Sequence, residues 1–173
     1  MQNQTIHGRS FLYLHCPSGL KNFYNMLDIS LSTDHDWNSI AALEFEWNQL
    51  ISECPNTHIF NTWEWANCWS KTNHSKYKLH LITARSQDGK LVAIAPFYIE
   101  TFYLFLLIPI RTLRVLGDQS SGADYPAIIC PSEKQIDVCE ALLSYLLNNK
   151  RDWDTLWSPN IAAWEDNSKN FKK

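Results

Sequence analysis

The chain has 173 residues, with 15 Lys and Arg against 18 Asp and Glu, for a formal net charge of -3. That length suits one domain or the front part of a larger one, and 45% hydrophobic with 19% charged residues excludes a disordered chain. The mild acidity gives no electrostatic basis for nucleic-acid binding, and no collagen-like, heptad or longer repeat is present. The unusual feature is aromatic load: 8 Trp, 7 Tyr and 8 Phe.

Residues 1–25 show no periodicity and are expected to be poorly ordered. Residues 26–31 (Met-Leu-Asp-Ile-Ser-Leu) alternate apolar and polar, which predicts a half-buried strand. Capping residues at 33–36 then precede Trp37, Ile40, Leu43, Trp47, Leu50 and Ile51, which recur at helical spacing. This predicts one amphipathic helix of about four turns, ended before Pro55. A second helix follows Ile59 and Phe60, with Asn61 and Glu64 at capping-box spacing and Trp65 and Trp69 on one face.

Residues 77–85 read as a strand. The segment Gln87-Asp88-Gly89-Lys90 predicts a hairpin turn, because Asp-Gly supplies the positive φ such turns need, and 91–98 is the returning strand. Residues 102–110 are wholly apolar. Interrupting prolines and β-branched and aromatic content favour a buried strand pair there over a membrane helix. A membrane-touching hairpin is the less favoured alternative. A short strand is expected at 112–116, a polar loop at 117–126, a helix from Ser132 (with Ile136, Cys139, Leu142, Leu143, Leu146 and Leu147 as its stripe), and a last strand at 152–158. The element order β, α, α, β, β, β, α, β predicts an α/β layer architecture.

Chemistry-bearing motifs are sparse. The 5 cysteines form no C-x-x-C pair, so neither a disulfide framework nor a structural zinc site is expected. They read as small buried thiols in a reducing cytosol, and the polar N-terminus lacks the pattern of a secretory signal. The 6 histidines are scattered without metal-ligand spacing, so no metal is expected. No nucleophile elbow, P-loop or dinucleotide fingerprint occurs.

Four ordered clusters carry a resemblance. The first is Trp47 and Leu50, Pro55, Ile59-Phe60-Asn61-Thr62-Trp63-Glu64-Trp65, then Trp69. The second is Ala84-Arg85 with Asp88-Gly89-Lys90-Leu91-Val92-Ala93-Ile94-Ala95-Pro96-Phe97. The third is Leu113-Arg114-Val115-Leu116-Gly117 followed by Ala123-Asp124-Tyr125, and the fourth is Trp153-Asp154-Thr155-Leu156. Over about 37–158 the chain resembles the N-terminal half of the GNAT-like acyltransferases of the cellulose biosynthesis protein CelD family, relatives of the FemAB-type aminoacyl transferases. The resemblance implies a GNAT-like, mixed, largely antiparallel sheet flanked by helices, incomplete at its C-terminus. It implies a half-domain at 26–160 with a polar tail at 161–173.

In that family two such halves act in tandem, and the second binds the acyl-CoA. The implied activity is transfer of an acyl group from acetyl-CoA or another acyl-CoA to an amine on a small-molecule or glycan acceptor, in the cytoplasm. This chain departs from the family in three places. It stops near the fifth strand, which suggests a truncated product, inactive alone. Residues 102–108 replace a polar, basic turn. The Q/R-x-x-G-x-G/A run that points N–H groups at the pyrophosphate is replaced by Gly117-Asp118-Gln119-Ser120-Ser121-Gly122. No cofactor is therefore expected in this chain. Trp63, Trp65, Asp124 and Tyr125 are the candidates for lining an acceptor groove; Glu44 and Glu64 are the other acids considered, with helix capping the more ordinary role for Glu64. The rival reading is a non-enzymatic interaction module, docking through an unpaired sheet edge and an aromatic surface, with peripheral membrane attachment through 102–110 as a further alternative.

Overall fold

In a computed structural model, residues 29–55, 57–118 and 127–157 are described. The N-terminal segment 1–25, the tail 161–173, and Asp124 and Tyr125 lie outside them.

Five strands form one open sheet in the order β1-β2-β3-β4-β5. They are β1 (Ile29–Asp34), β2 (Lys78–Ser86), β3 (Leu91–Leu104), β4 (Ile108–Val115) and β5 (Thr155–Trp157). The first four pair antiparallel, and β5 joins β4 in parallel. The helices are α1 (Asn38–Ala42), α2 (Glu44–Ser52), α3 (Trp63–Asn73) and α4 (Gln135–Asn148), with single 3-10 turns at Ile59–Asn61 and Ser132–Lys134. The class is thus mixed α/β with a largely antiparallel sheet.

Helices cover both faces. Ile40, Trp47, Leu50, Ala66 and Trp69 pack from α1 to α3 onto Leu79, Leu81, Ile94 and Tyr98. Leu142 and Leu146 of α4, with Trp153, pack onto Ile82, Phe97, Leu113 and Val115. This explains why burial runs unbroken over residues 79–84 of β2 and 91–99 of β3: each strand has two faces to bury. Much of the aromatic load serves this packing. Trp69 stacks on Tyr77 at 5.8 Å and tilts against Trp37 and Tyr98. The indole N–H of Trp47 donates to the Asn61 carbonyl at 2.9 Å, tying α2 to the turn before α3.

Several elements differ from the sequence expectation. The first helix is two, broken at Leu43, whose ψ of 2° lies outside the α region. The amide of Leu43 still donates to Ser39 and Ile40, and its carbonyl accepts from Trp47. The apolar stripe runs through the kink, so periodicity alone does not reveal it. The cap of α3 is Thr62, not Asn61: its hydroxyl accepts from the Trp65 amide at 3.3 Å. Asn61 is buried, and its side chain accepts from the Ala127 amide at 3.3 Å. Helix α4 starts at Gln135, after the 3-10 turn, with no side-chain cap from Ser132. The turn at Asp88-Gly89 forms as expected, with Gly89 at φ 85° and its amide bonded to the Ser86 carbonyl.

Segment 102–110 forms the expected strand pair, but it is exposed rather than buried. The pairing of β2 with β3 ends at Lys78 opposite Ile99, while β3 and β4 continue together to Leu104 opposite Ile108. Beyond Glu100 the hairpin is therefore a two-stranded ribbon with no third strand beside it among the described residues. Phe105, Leu106 and Leu107 at its tip are more than four-fifths exposed. Phe105 and Leu106 both have positive φ, the conformation of the turns that suit a twisted hairpin, in side chains that adopt it poorly. No helix among the described residues is long and apolar enough to cross a membrane. Among the described cysteines Cys54 is buried, Cys130 and Cys139 are half-buried, and Cys68 is exposed, so the expectation of uniformly buried thiols fails at Cys68.

Candidate functional site

The C-terminal end of β4 carries Gly117 and Asp118, where the sequence departs from the pyrophosphate-cradle run. There the chain turns at Gly117, with φ 78°. The ring of Trp65 lies so close that a Cβ at 117 would stand 2.5 Å from its Nε1, so only glycine fits. Trp65 also meets Phe60 edge-on at 5.0 Å, and its buried indole N–H has no hydrogen-bond partner.

Asp118 follows and is completely buried. Its carboxylate accepts from the Tyr98 hydroxyl at 3.1 Å and from Nε of Arg114 at 2.5 Å. Arg114 also donates to Glu100 at 2.5 Å. Burial opposes the charge on Arg114, but the bond to Asp118 and the surrounding groups outweigh it and hold its pKa above the usual value. These four residues form an inward-facing network at the sheet end. Asp118 faces the protein, and its charge is matched from within. No cation stands free to meet a pyrophosphate from this network, because Arg114 serves two carboxylates.

The expected groove residues separate. Trp63 is a packing residue: its indole N–H donates to the Ile40 carbonyl at 2.7 Å, joining α3 to α1. Of the two described candidates, Trp65 is the one beside the β4 end. Glu44 and Glu64 are exposed in the first turns of α2 and α3, where acids favour the helix dipole. Two open grooves, one of ≈ 400 Å³ beside Ile29 and Asp137 and one of ≈ 390 Å³ beside Phe45 and Lys90, are lined by none of these residues.

A second constellation lies on the opposite face of the sheet, under α4, and sequence spacing gave no sign of it. His35 follows β1, His80 is on β2, and Asp152 precedes β5; one ligand atom from each lies within 4.8 Å of the others. The register places Asp34 opposite Leu81, which sets the two histidines side by side with ring centroids 5.2 Å apart. His80 shares a strand face with Ile82, under α4. Burial, with His35 nearby, pushes the His80 imidazole down to about 4, so it is neutral at pH 7. A signal for this cluster exists only in the strand pairing, since the three residues are far apart in the chain.

No protein-family model matches the chain, and no curated protein or solved structure matches it either.

Proposed function

We propose that this chain is the N-terminal, non-acyl-CoA-binding half of a GNAT-like N-acyltransferase, which moves an acyl group from acyl-CoA to an amine. The observation that carries this reading is connectivity. Among the described residues, three helices (α1 to α3) lie between β1 and β2, strands β1 to β4 run antiparallel, and α4, after a 3-10 turn, lies between β4 and a parallel β5. The ordered motif clusters fall on that frame at the β2–β3 turn, the β4 end and β5.

The division of labour follows from the β4 end. Acyl transfer needs a base for the amine, donors for the oxyanion and a way to protonate the thiolate. Asp118 is locked to Arg114 and Tyr98, while Glu44 and Glu64 point to solvent far from one another in role. The donor and the chemistry therefore belong to a second half, and this half contributes support and, through Trp65, part of the acceptor wall.

Calorimetry with acetyl-CoA tests the proposal. No saturable heat is expected from this chain alone, because its sequence after β4 lacks the Q/R-x-x-G-x-G/A run and carries Asp118 there. Binding at micromolar concentration would overturn it.

A second reading, that of a docking module, is favoured by one observation: the apolar ribbon that β3 and β4 hold away from the sheet.

A further inference from the structure

The His35, His80 and Asp152 cluster plays no part in the acyltransferase reading and does not rest on it. His80, the third residue of β2, is only 1% exposed, and neither of its ring nitrogens has a hydrogen-bond partner among the described residues. A buried polar ring left unmatched is costly, and such groups in native proteins call for an explanation. His35 supplies a complementary detail. Its Nδ1 lies 2.9 Å from the Leu79 carbonyl. A carbonyl only accepts, so Nδ1 carries the proton and Nε2 keeps its lone pair. Metal-bound imidazoles are oriented in this way, by an N–H given to a carbonyl or carboxylate on the far side of the ring.

We propose that His35 Nε2, one ring nitrogen of His80 and a carboxylate oxygen of Asp152 bind a single divalent transition-metal ion of the Zn²⁺ type. Two imidazoles and one carboxylate suit Zn²⁺, Co²⁺ or Ni²⁺, and offer too few oxygens for Ca²⁺ or Mg²⁺. Bonds of about 2.0–2.2 Å in a tetrahedral site put ligand atoms roughly 3.3–3.6 Å apart. One ligand atom of each of the three residues lies within 4.8 Å of the others, so the set needs to close by about an ångström. His35 is exposed and Asp152 sits in the turn after α4, so these two adjust while His80 stays fixed in the core. Three protein ligands leave the fourth position to water or to a group from another molecule. The ion clips the turn between α4 and β5 to the β1–β2 end of the sheet. Cysteine takes no part, so the usual zinc spacing is absent from the sequence.

The test uses the full chain, stripped of metal, titrated with Co²⁺ and followed by calorimetry and by the visible d–d bands of the ion. One equivalent is expected to bind at micromolar concentration or tighter, with bands that Zn²⁺ displaces. His35→Gln and Asp152→Asn, both at accessible positions that leave the fold intact by circular dichroism, are each expected to weaken binding by at least about tenfold. His74→Gln, at the end of α3, is expected to leave it unchanged. Absence of saturable one-equivalent binding overturns the proposal. So does binding that survives both His35→Gln and Asp152→Asn, which would place the ion elsewhere, for example on exposed Cys68.

Discussion

Asp118 shows how far a residue's meaning depends on its surroundings. In sequence it occupies a loop position where an anion-binding site would prefer a cation. In three dimensions it is a buried carboxylate held by Tyr98 and Arg114. Removing one member of such a pair leaves the other charged and buried, which typically costs about 3–5 kcal/mol. Arg114→Met is expected to lower stability by roughly that amount in urea unfolding. The double variant Arg114→Met with Asp118→Leu should recover much of it, because both charges are then gone. A double variant no more stable than the single one would show that the network does not act as a matched unit. Arg114 and Gly117 were visible in the sequence as part of a motif cluster, but the direction of the Asp118 side chain was not, since it depends on Tyr98 from the neighbouring strand.

At the scale of elements, the β3–β4 hairpin departs most from expectation. Its composition predicted strands correctly, and its apolar character predicted burial. Burial failed because pairing with β2 stops at Lys78, leaving the ribbon beyond Glu100 without a covering layer among the described residues. Leu106, 89% exposed at φ 61°, is the natural probe. Aspartate tolerates positive φ better than leucine does. Leu106→Asp is therefore expected to leave stability within about 0.5 kcal/mol. The same change should abolish any self-association in size-exclusion chromatography and any flotation with liposomes. A wild-type chain that neither associates nor floats would remove the docking reading. The kink at Leu43 teaches a related lesson. A hydrophobic stripe records which side faces the core, and a change in ψ at one residue leaves that side unchanged.

Across the molecule, acid response follows from carboxylates matched within the fold. The bond from Arg85 holds Glu46 below the usual carboxylate range, and those from Ser39 and Asp36 do the same for Asp34. Glu46 and Arg85 meet through two bonds of 2.7 Å that join α2 to β2. A carboxylate with a depressed folded pKa stabilises fully above its unfolded value near 4.5, and that stabilisation disappears as pH falls through the folded value. Both partners are about a third exposed, so solvent screens them and the pair is worth only about 0.5–1 kcal/mol. Glu46→Gln is expected to be less stable than wild type by that amount at pH 7, with the gap closing as pH falls below the unfolded value near 4.5 and through the lower folded value. Urea unfolding across a pH series measures it; a gap independent of pH would show that packing, not charge, is responsible.

What the sequence determined by itself is what local physics controls. Period-2 alternation, helical stripes, the Asp88-Gly89 turn and the order of elements depend on residues a few positions apart, and they emerge close to where composition and spacing placed them. The tertiary structure alone decided which charges and rings meet. Strand register brought His35 to His80, the turn after α4 added Asp152, and the early end of β2 stranded the apolar ribbon in solvent. Those outcomes turn on pairings between distant segments, whose free energy comes from burial and hydrogen bonding across the sheet and leaves no periodic trace along the chain.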